Sequence, residues 1–455
     1  MSTRMPTARA VFRRRPLIAL AAAALLGACG GGGGGGGGAV ACSVADQQLW
    51  LRDYFDDTYF WYALSPRPNP ASFADVPSYF DALLFTGNAT FPADRYSGYE
   101  STESFNRFFG DGQTLGFGVS VNGIETVENP ARPLRIRYVE PQSPAAAAGL
   151  VRGDTVVSLN GRSAAQIVAA EDFSDLTADA VGDLLTIVVR NAAGVQRSVT
   201  LNAALFAVTP VQGANVVTSA GGRKLGYVFV NNMISQALNP LNSAFTQFKA
   251  AGVQDLVLDL RYNGGGLVST AGTLASYAAG ASAAGQPFAT LLYNDKQAAG
   301  NNQTFRFANL AQSLNASRVY VLAGPRTCSA SEQLINGLRG VGIDVVSVGD
   351  TTCGKPVGFL PEAYCGTTYS IVNFESVNAR NEGRYFDGFQ ASCAVADDLD
   401  HALGSTSEGL LVAAASHADA GACPAGTGIR ERPMSLRKAG TRTTEPGERS
   451  GMLGR

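Results

Sequence analysis

The sequence predicts an α+β multidomain chain with a small N-terminal helical domain, a β-domain and an α/β layered core. Three observations carry that reading. Aromatic residues recur at helical spacing between Cys42 and about Gly98, as in LWLRDYFDDTYFWY. Short β-like runs separated by Gly, Pro and Asn follow, from about Ser104 to Phe206. From Leu225 to about Gly421 apolar strands interleave with helical segments, the pattern of parallel strands covered on both faces.

At 455 residues the chain is too long for one small core, and two or three domains are expected. Lys and Arg number 35 against 37 Asp and Glu, a formal net charge of −2, so no field suited to nucleic acid exists. Arg13, Arg14 and Arg15 precede an apolar run, Leu17 to Leu26, too short to span a bilayer, which reads as an export signal. The run ends in Leu26-Gly27-Ala28-Cys29, which resembles a bacterial lipoprotein lipobox. That resemblance implies a signal peptide over 1–29 and a lipidated Cys29 as the first mature residue. It further implies a chain anchored to a membrane of the bacterial cell envelope, facing the periplasm or the exterior.

The unbroken glycines Gly30 to Gly38 make residues 30–41 a flexible tether. Six further cysteines remain: Cys42, Cys328, Cys353, Cys365, Cys393 and Cys423. An even number in an exported chain favours disulfides. With no Cys-x-x-Cys pair and only His401 and His417, no structural metal site is expected.

Residues 42–103 read as the helical domain, and its aromatic stripe is assigned to core packing with no chemistry. Residues 104–206 contain the runs GFGVSV, LRIRYV, DTVVSLNG and DLLTIVVR, and the stretch PQSPAAAAGLVRGDTVVSLNGRS among them resembles a PDZ domain. The physics supports a reader of peptide tails. Backbone N–H groups of Leu115, Gly116, Phe117 and Gly118 can hold a terminal carboxylate, and the strand that follows offers an edge to an extended peptide. Residues 207–424 form the α/β core through LGYVFV, ALNPLNSAFTQFKAAG, DLVLDLR, RVYVLAG, SEQLINGLRGVG and DVVSVGD. Residues 425–455 turn polar and basic with little periodicity and are expected to be disordered.

The stretch RTCSASEQLINGLRG, Arg326 to Gly340, puts hydroxyls and a thiol just before a predicted helix. Ser331 and Glu332 suit a helix start, where a hydroxyl accepts a backbone N–H and a carboxylate suits the dipole. A serine nucleophile needs a base. His401 in DDLDHALG and His417 in AASHADAG lie in polar text expected to be solvated. Lys355, in GDTTCGKPVGF, has apolar and glycine neighbours with no acid closer than Asp350, so desolvation can leave a neutral amine.

DLVLDLRYNGGGLV (Asp255 to Val268), CSASE (Cys328 to Glu332) and CGKPVGF (Cys353 to Phe359) resemble, in this order, the signature segments of the carboxyl-terminal processing (tail-specific) serine peptidases. The resemblance covers roughly Cys42 to Cys423. It implies a PDZ domain joined to a crotonase-like α/β core, a serine–lysine dyad and no cofactor. Carried over, Ser329 is the nucleophile and Lys355 the base. Gly265 or Gly264, together with Ala330, supply the oxyanion hole.

Many members carry a glutamine four residues after the lysine. Phe359 stands there, which leaves Glu362, Asn373 and Glu375 as candidates to position Lys355. Cys328 precedes Ser329 and Cys353 lies two residues before Lys355, so a dyad brings both backbones together. A Cys328–Cys353 bridge is then expected to clamp the two loops, the alternative being Cys353 with Cys365. The expected function is a serine endopeptidase cleaving proteins recruited by their C-terminal tails. Its rival is a catalytically impaired PDZ-containing protein of the cell envelope that only binds such tails.

Overall fold

The computed structural model describes residues 42–425 and 451–454. The signal peptide, Cys29, the glycine tether and residues 426–450 lie outside the described residues.

Ser43 opens the first helix, Val44–Thr58, by capping it, its Oγ accepting the Asp46 N–H at 3.2 Å. Gln48, Leu51 and Phe55 form one buried face of that helix at spacings of three and four. A second helix, Val76–Leu83, is capped by Asp75 and buries Tyr79, Phe80 and Leu83. These side chains share a core with Val357, Phe359, Tyr369 and Val372, so the aromatic segment is packed onto the sheet that follows Lys355. A Cys42–Cys365 disulfide staples it there.

The β-domain alternates as its sequence requires: in Leu184–Arg190, Leu185, Ile187 and Val189 are buried while the ends of the strand are exposed. Gln113–Gly116 pairs with Ala204–Ala207, and Val119–Val121 with Ile136–Val139, both antiparallel. Phe117 and Gly118 join the two. Phe117 is buried in the domain core, and Gly118 has a φ of 77°, where a side chain would strike Ser143. Among the described residues, Val119–Val121 pairs on one side only, which leaves it an edge. The helix Gly123–Glu128 meets the α/β core, where Arg326 donates to both Glu125 oxygens at 2.8 and 2.9 Å. Ile124 packs with Cys328 and Cys353.

The α/β core holds a six-stranded sheet whose spatial order is also chain order: Val211–Thr218, Lys224–Val230, Asp255–Asp259, Arg318–Ala323, Asp344–Gly349 and Cys393–Ala394. All neighbours are parallel except the first pair. Both faces are covered, which explains why DLVLD is buried throughout. Leu256, Leu258, Val319 and Val321 face the helices Leu238–Ala251, Val268–Ala279 and Ala330–Gly340. Val257, Tyr320 and Leu322 face Gly409–Ala420.

A second six-stranded sheet runs in the order Gly265–Leu267, Gly451–Leu453, Val357–Phe359, Val372–Val377, Pro287–Tyr293, Gln303–Arg306. Its second strand corrects the expectation of a disordered 425–455 at residues 451–454 alone. Polar composition dominates that stretch, but Gly-Met-Leu-Gly at 451–454 is buried, and backbone pairing with two strands outweighs local propensity. No helix among the described residues is long and apolar enough to cross a membrane.

Candidate active site

Ser329 stands at the start of the helix Ala330–Gly340 with φ 61° and ψ −115°, a conformation costly for any residue but glycine. Its surroundings hold it there. Glu332, wholly buried, accepts the Ser329 N–H at 2.9 Å. The same carboxylate accepts from Thr352 Oγ1 at 2.5 Å and from the N–H groups of Gly354 and Lys355, both at 2.8 Å. Burial pushes the Glu332 carboxyl up, against these four donors, which favour the charged form. One side chain thus ties the serine to the lysine loop. A Cys328–Cys353 disulfide, Cα atoms 5.2 Å apart, adds a covalent tie, as expected from their chain positions. Cys365 joins Cys42 instead, and Cys393 joins Cys423.

Lys355 is 1% exposed, and burial lowers its amine to about 7 in spite of the opposing charges of Asp94 and Glu332. Its Nζ lies 4.1 Å from the Phe359 ring centroid and 5.6 Å from that of Tyr96. Phe359, in place of the family glutamine, therefore forms a wall against the lysine. The three polar candidates are engaged elsewhere: Asn373 bonds Leu360 N and Thr58 O, Glu375 pairs with Arg384, and Glu362 is exposed. Short distance along the chain suggested them, and the strands carry them away.

The glycine run is more than a turn. Gly265 and Gly266 have φ of 110° and 131°. A β-carbon on Gly265 would lie within 3.0 Å of Ser329 Cβ, Ala330 N and the Gly451 carbonyl oxygen. The Gly265 N–H donates to Asn263 Oδ1 at 2.8 Å, so that amide is held by a side chain, while Ala330 N borders the same small space as Ser329. Gly264 presents its carbonyl to the Gly451 N–H at 3.1 Å. Neither histidine reaches the serine: His417 meets Tyr320 Oη at 3.2 Å and His401 meets Asp398 at 2.7 Å. His417 is buried, against the solvated position its polar neighbours predicted, because its helix packs on the sheet.

Several contributors were not read from the sequence. Asn263, fully buried, also donates to Val230 O at 2.9 Å and accepts the Cys328 N–H and Ser331 hydroxyl, both at 3.1 Å. It links the glycine run to the serine loop, yet an asparagine beside glycines reads only as a turn. Tyr96 donates to Gly354 O at 2.7 Å, bracing the lysine loop from the segment assigned to packing alone. Arg261 is buried between Asp259, with contacts of 2.9 Å, and Glu408, at 2.6 and 3.0 Å, fixing the end of the strand that leads to Asn263.

The Peptidase family S41 model matches residues 224–363, the span that holds the glycine run, Ser329 and Lys355, and a PDZ domain model matches residues 135–191. The chain carries an S41 peptidase core preceded by a PDZ domain. It is 33% identical over 138 residues to the chloroplastic C-terminal processing peptidase of Tetradesmus obliquus, covering 28% of this chain and 29% of that one. It is 26% identical over 249 residues to the carboxyl-terminal-processing protease of Picosynechococcus sp., covering 54% and 55%. The matches span about half or less of these relatives. Among solved structures, an S41 protease from Bacteroides fragilis aligns with a TM-score of 0.63 at 25% identity, over 82% of this chain and 97% of that one. The S41 core and its PDZ domain meet around a cleft of about 860 Å³, bordered by Leu115 and Leu205 on one side and Phe359, Gly451 and Leu453 on the other.

Proposed function

We propose that this chain is a serine endopeptidase that cleaves protein substrates recruited by their C-terminal tails, with Ser329 as nucleophile and Lys355 as general base. The observation that carries it is the desolvated Lys355 amine, lowered to about 7, on a loop that Glu332 and a disulfide tie to Ser329. A lysine in that state is neutral in a large share of molecules near neutral pH and can accept a proton. Ser329 Oγ gives its proton to Nζ as it bonds to the substrate carbonyl carbon. The peptide C–N bond then breaks, the lysine returns the proton to the leaving amine, and water cleaves the acyl-serine ester. Ser329 Oγ makes no hydrogen bond to any described residue, and the proposed proton transfer requires Oγ and Nζ to come within hydrogen-bond reach when substrate is bound. The Ala330 N–H, with Gly264, stabilises the oxyanion, the Gly265 N–H being taken by Asn263 Oδ1.

The PDZ edge Val119–Val121 and the loop Leu115–Gly118 bind the substrate's tail, and the cleft beside Leu115 leads toward Phe359 and the Gly451–Leu453 strand. The same reading places the chain in the bacterial cell envelope, held by a lipid on Cys29. Unfolded casein is the test substrate. Cleavage by the wild-type chain that disappears in Ser329→Ala supports the peptidase, and no cleavage by the wild type under any condition overturns it.

A further inference from the structure

We propose that Gly451–Gly454 is an intramolecular occupant of the peptide slot beside Ser329, which an incoming substrate must displace. The inference rests on the peptidase reading above and goes beyond it, because it makes the chain's own tail the resting ligand of the site.

The sheet order carries the proposal. Gly451–Leu453 lies between Gly265–Leu267 and Val357–Phe359, parallel to both, with Gly265 opposite Gly451 and Phe359 opposite Leu453. The Gly451 N–H donates to Gly264 O and the Gly454 N–H to Phe359 O, both at 3.1 Å. Take the segment away, and two strand edges face each other across about two strand spacings, roughly 9–10 Å. An extended peptide fills such a gap by adding a strand.

The occupant also sits where a substrate must. Its Gly451 carbonyl oxygen, Ser329 Cβ and Ala330 N all approach within 3.0 Å of the point that a Gly265 β-carbon would take. A carbonyl therefore stands beside the candidate nucleophile and a candidate oxyanion donor. The far side of the segment opens on the cleft that reaches Leu115 of the PDZ domain, the route a recruited tail would follow.

The side chains define what the slot accepts. Met452 and Leu453 are 0% and 2% exposed, in separate cores: Met452 with Leu291 and Phe374, Leu453 with Phe359 and Phe105. A β-carbon on Gly451 would press on the Phe359 ring at 3.3 Å, and one on Gly454 on Leu291 and Phe374, each at 3.1 Å. The slot thus fits a small residue, two large apolar residues and a second small residue, and substrates of this class compete best with the tail.

The test uses the peptide Ser-Gly-Met-Leu-Gly-Arg, labelled with fluorescein, and Ser329→Ala forms of the chain, so that binding is read without turnover. The form lacking residues 451–455 should bind the peptide at least tenfold more tightly than the full chain. In chains that keep Ser329, the same truncation should lower KM for casein several-fold, and added unlabelled peptide should restore it competitively. Should the truncated chain lose its fold, Met452→Asp in the full chain is read instead and should show the same gain. Equal binding with and without the tail, or no binding to either opened form, overturns the inference while leaving casein cleavage to judge the peptidase. Peptide binding gated by the tail with no hydrolysis by any form upholds the slot and sinks the peptidase. A full-chain specific activity that falls as protein concentration rises assigns the strand to a second copy and overturns the intramolecular arrangement.

Discussion

Glu332 accepts the Lys355 backbone N–H at 2.8 Å through Oε2, the same oxygen that accepts the Ser329 N–H at 2.9 Å. Two loops 26 residues apart are thereby hung on one buried oxygen. The geometry of the site depends on a carboxylate that touches neither the serine hydroxyl nor the lysine amine in any bond described, which makes Glu332 a positioning residue.

Glu332→Gln should expose that dependence. The amide keeps the shape but turns N–H donors toward N–H donors, leaving a buried mismatch of about 1–3 kcal/mol. Small displacements of reacting groups cost up to about 100-fold in rate. Steady-state kinetics should therefore show kcat falling while KM changes little, and an unchanged kcat would mean that the loops are held without it.

The lowered Lys355 amine sets the pH dependence. With Lys355 as the proposed general base, activity requires the neutral form, so kcat/KM should rise with pH through a midpoint near 7. Stability has the same sign. The native lysine sheds its proton near 7 and the unfolded one only near 10.5, so between these values the unfolded state binds more protons and stability rises with pH. Lys355→Arg should be inactive at every pH, since arginine stays charged. A flat wild-type profile from pH 5 to 9 would contradict the assignment.

Removing the clamp should cost stability as well as rate. The Cys328–Cys353 bridge closes a span of 25 residues. On the chain-entropy account, losing it costs roughly 2–4 kcal/mol. The double variant Cys328→Ala, Cys353→Ala should unfold at correspondingly lower denaturant concentration, with a larger loss in kcat than in the affinity for tails. An unaltered midpoint would show that Glu332 alone suffices.

Much of this was readable in advance, for physical reasons that can be named. The covered parallel sheet announces itself in runs such as DLVLDLR, and a desolvated lysine in CGKPVGF, because both depend on apolar neighbours close in the chain. Cys328 and Cys353 were pairable because each adjoins a candidate catalytic residue. What escaped depends on contacts across the fold: Asn263 bridging to Cys328, Tyr96 reaching the Gly354 carbonyl, and Phe359 walling the lysine where a polar partner was sought. The tail escaped for the opposite reason, since four residues between two strand edges gain their order from the partners and not from their own composition.

Tail reading by the PDZ domain has its own signature. If loop amides around Leu115–Gly118 hold a carboxylate, amidating a peptide substrate's C-terminus removes their anionic partner. KM should rise while kcat stays within about twofold. Identical KM values for free and amidated tails would assign the domain another task.

The central claim is that Ser329 is a nucleophile activated by Lys355, and trapping it with a fluorophosphonate tests that most directly. After prolonged incubation of the wild-type chain and proteolytic mapping, the adduct should sit on Ser329 and should be absent in Lys355→Arg. An adduct confined to another serine, or equal labelling of Ser329 with arginine at position 355, would contradict the account.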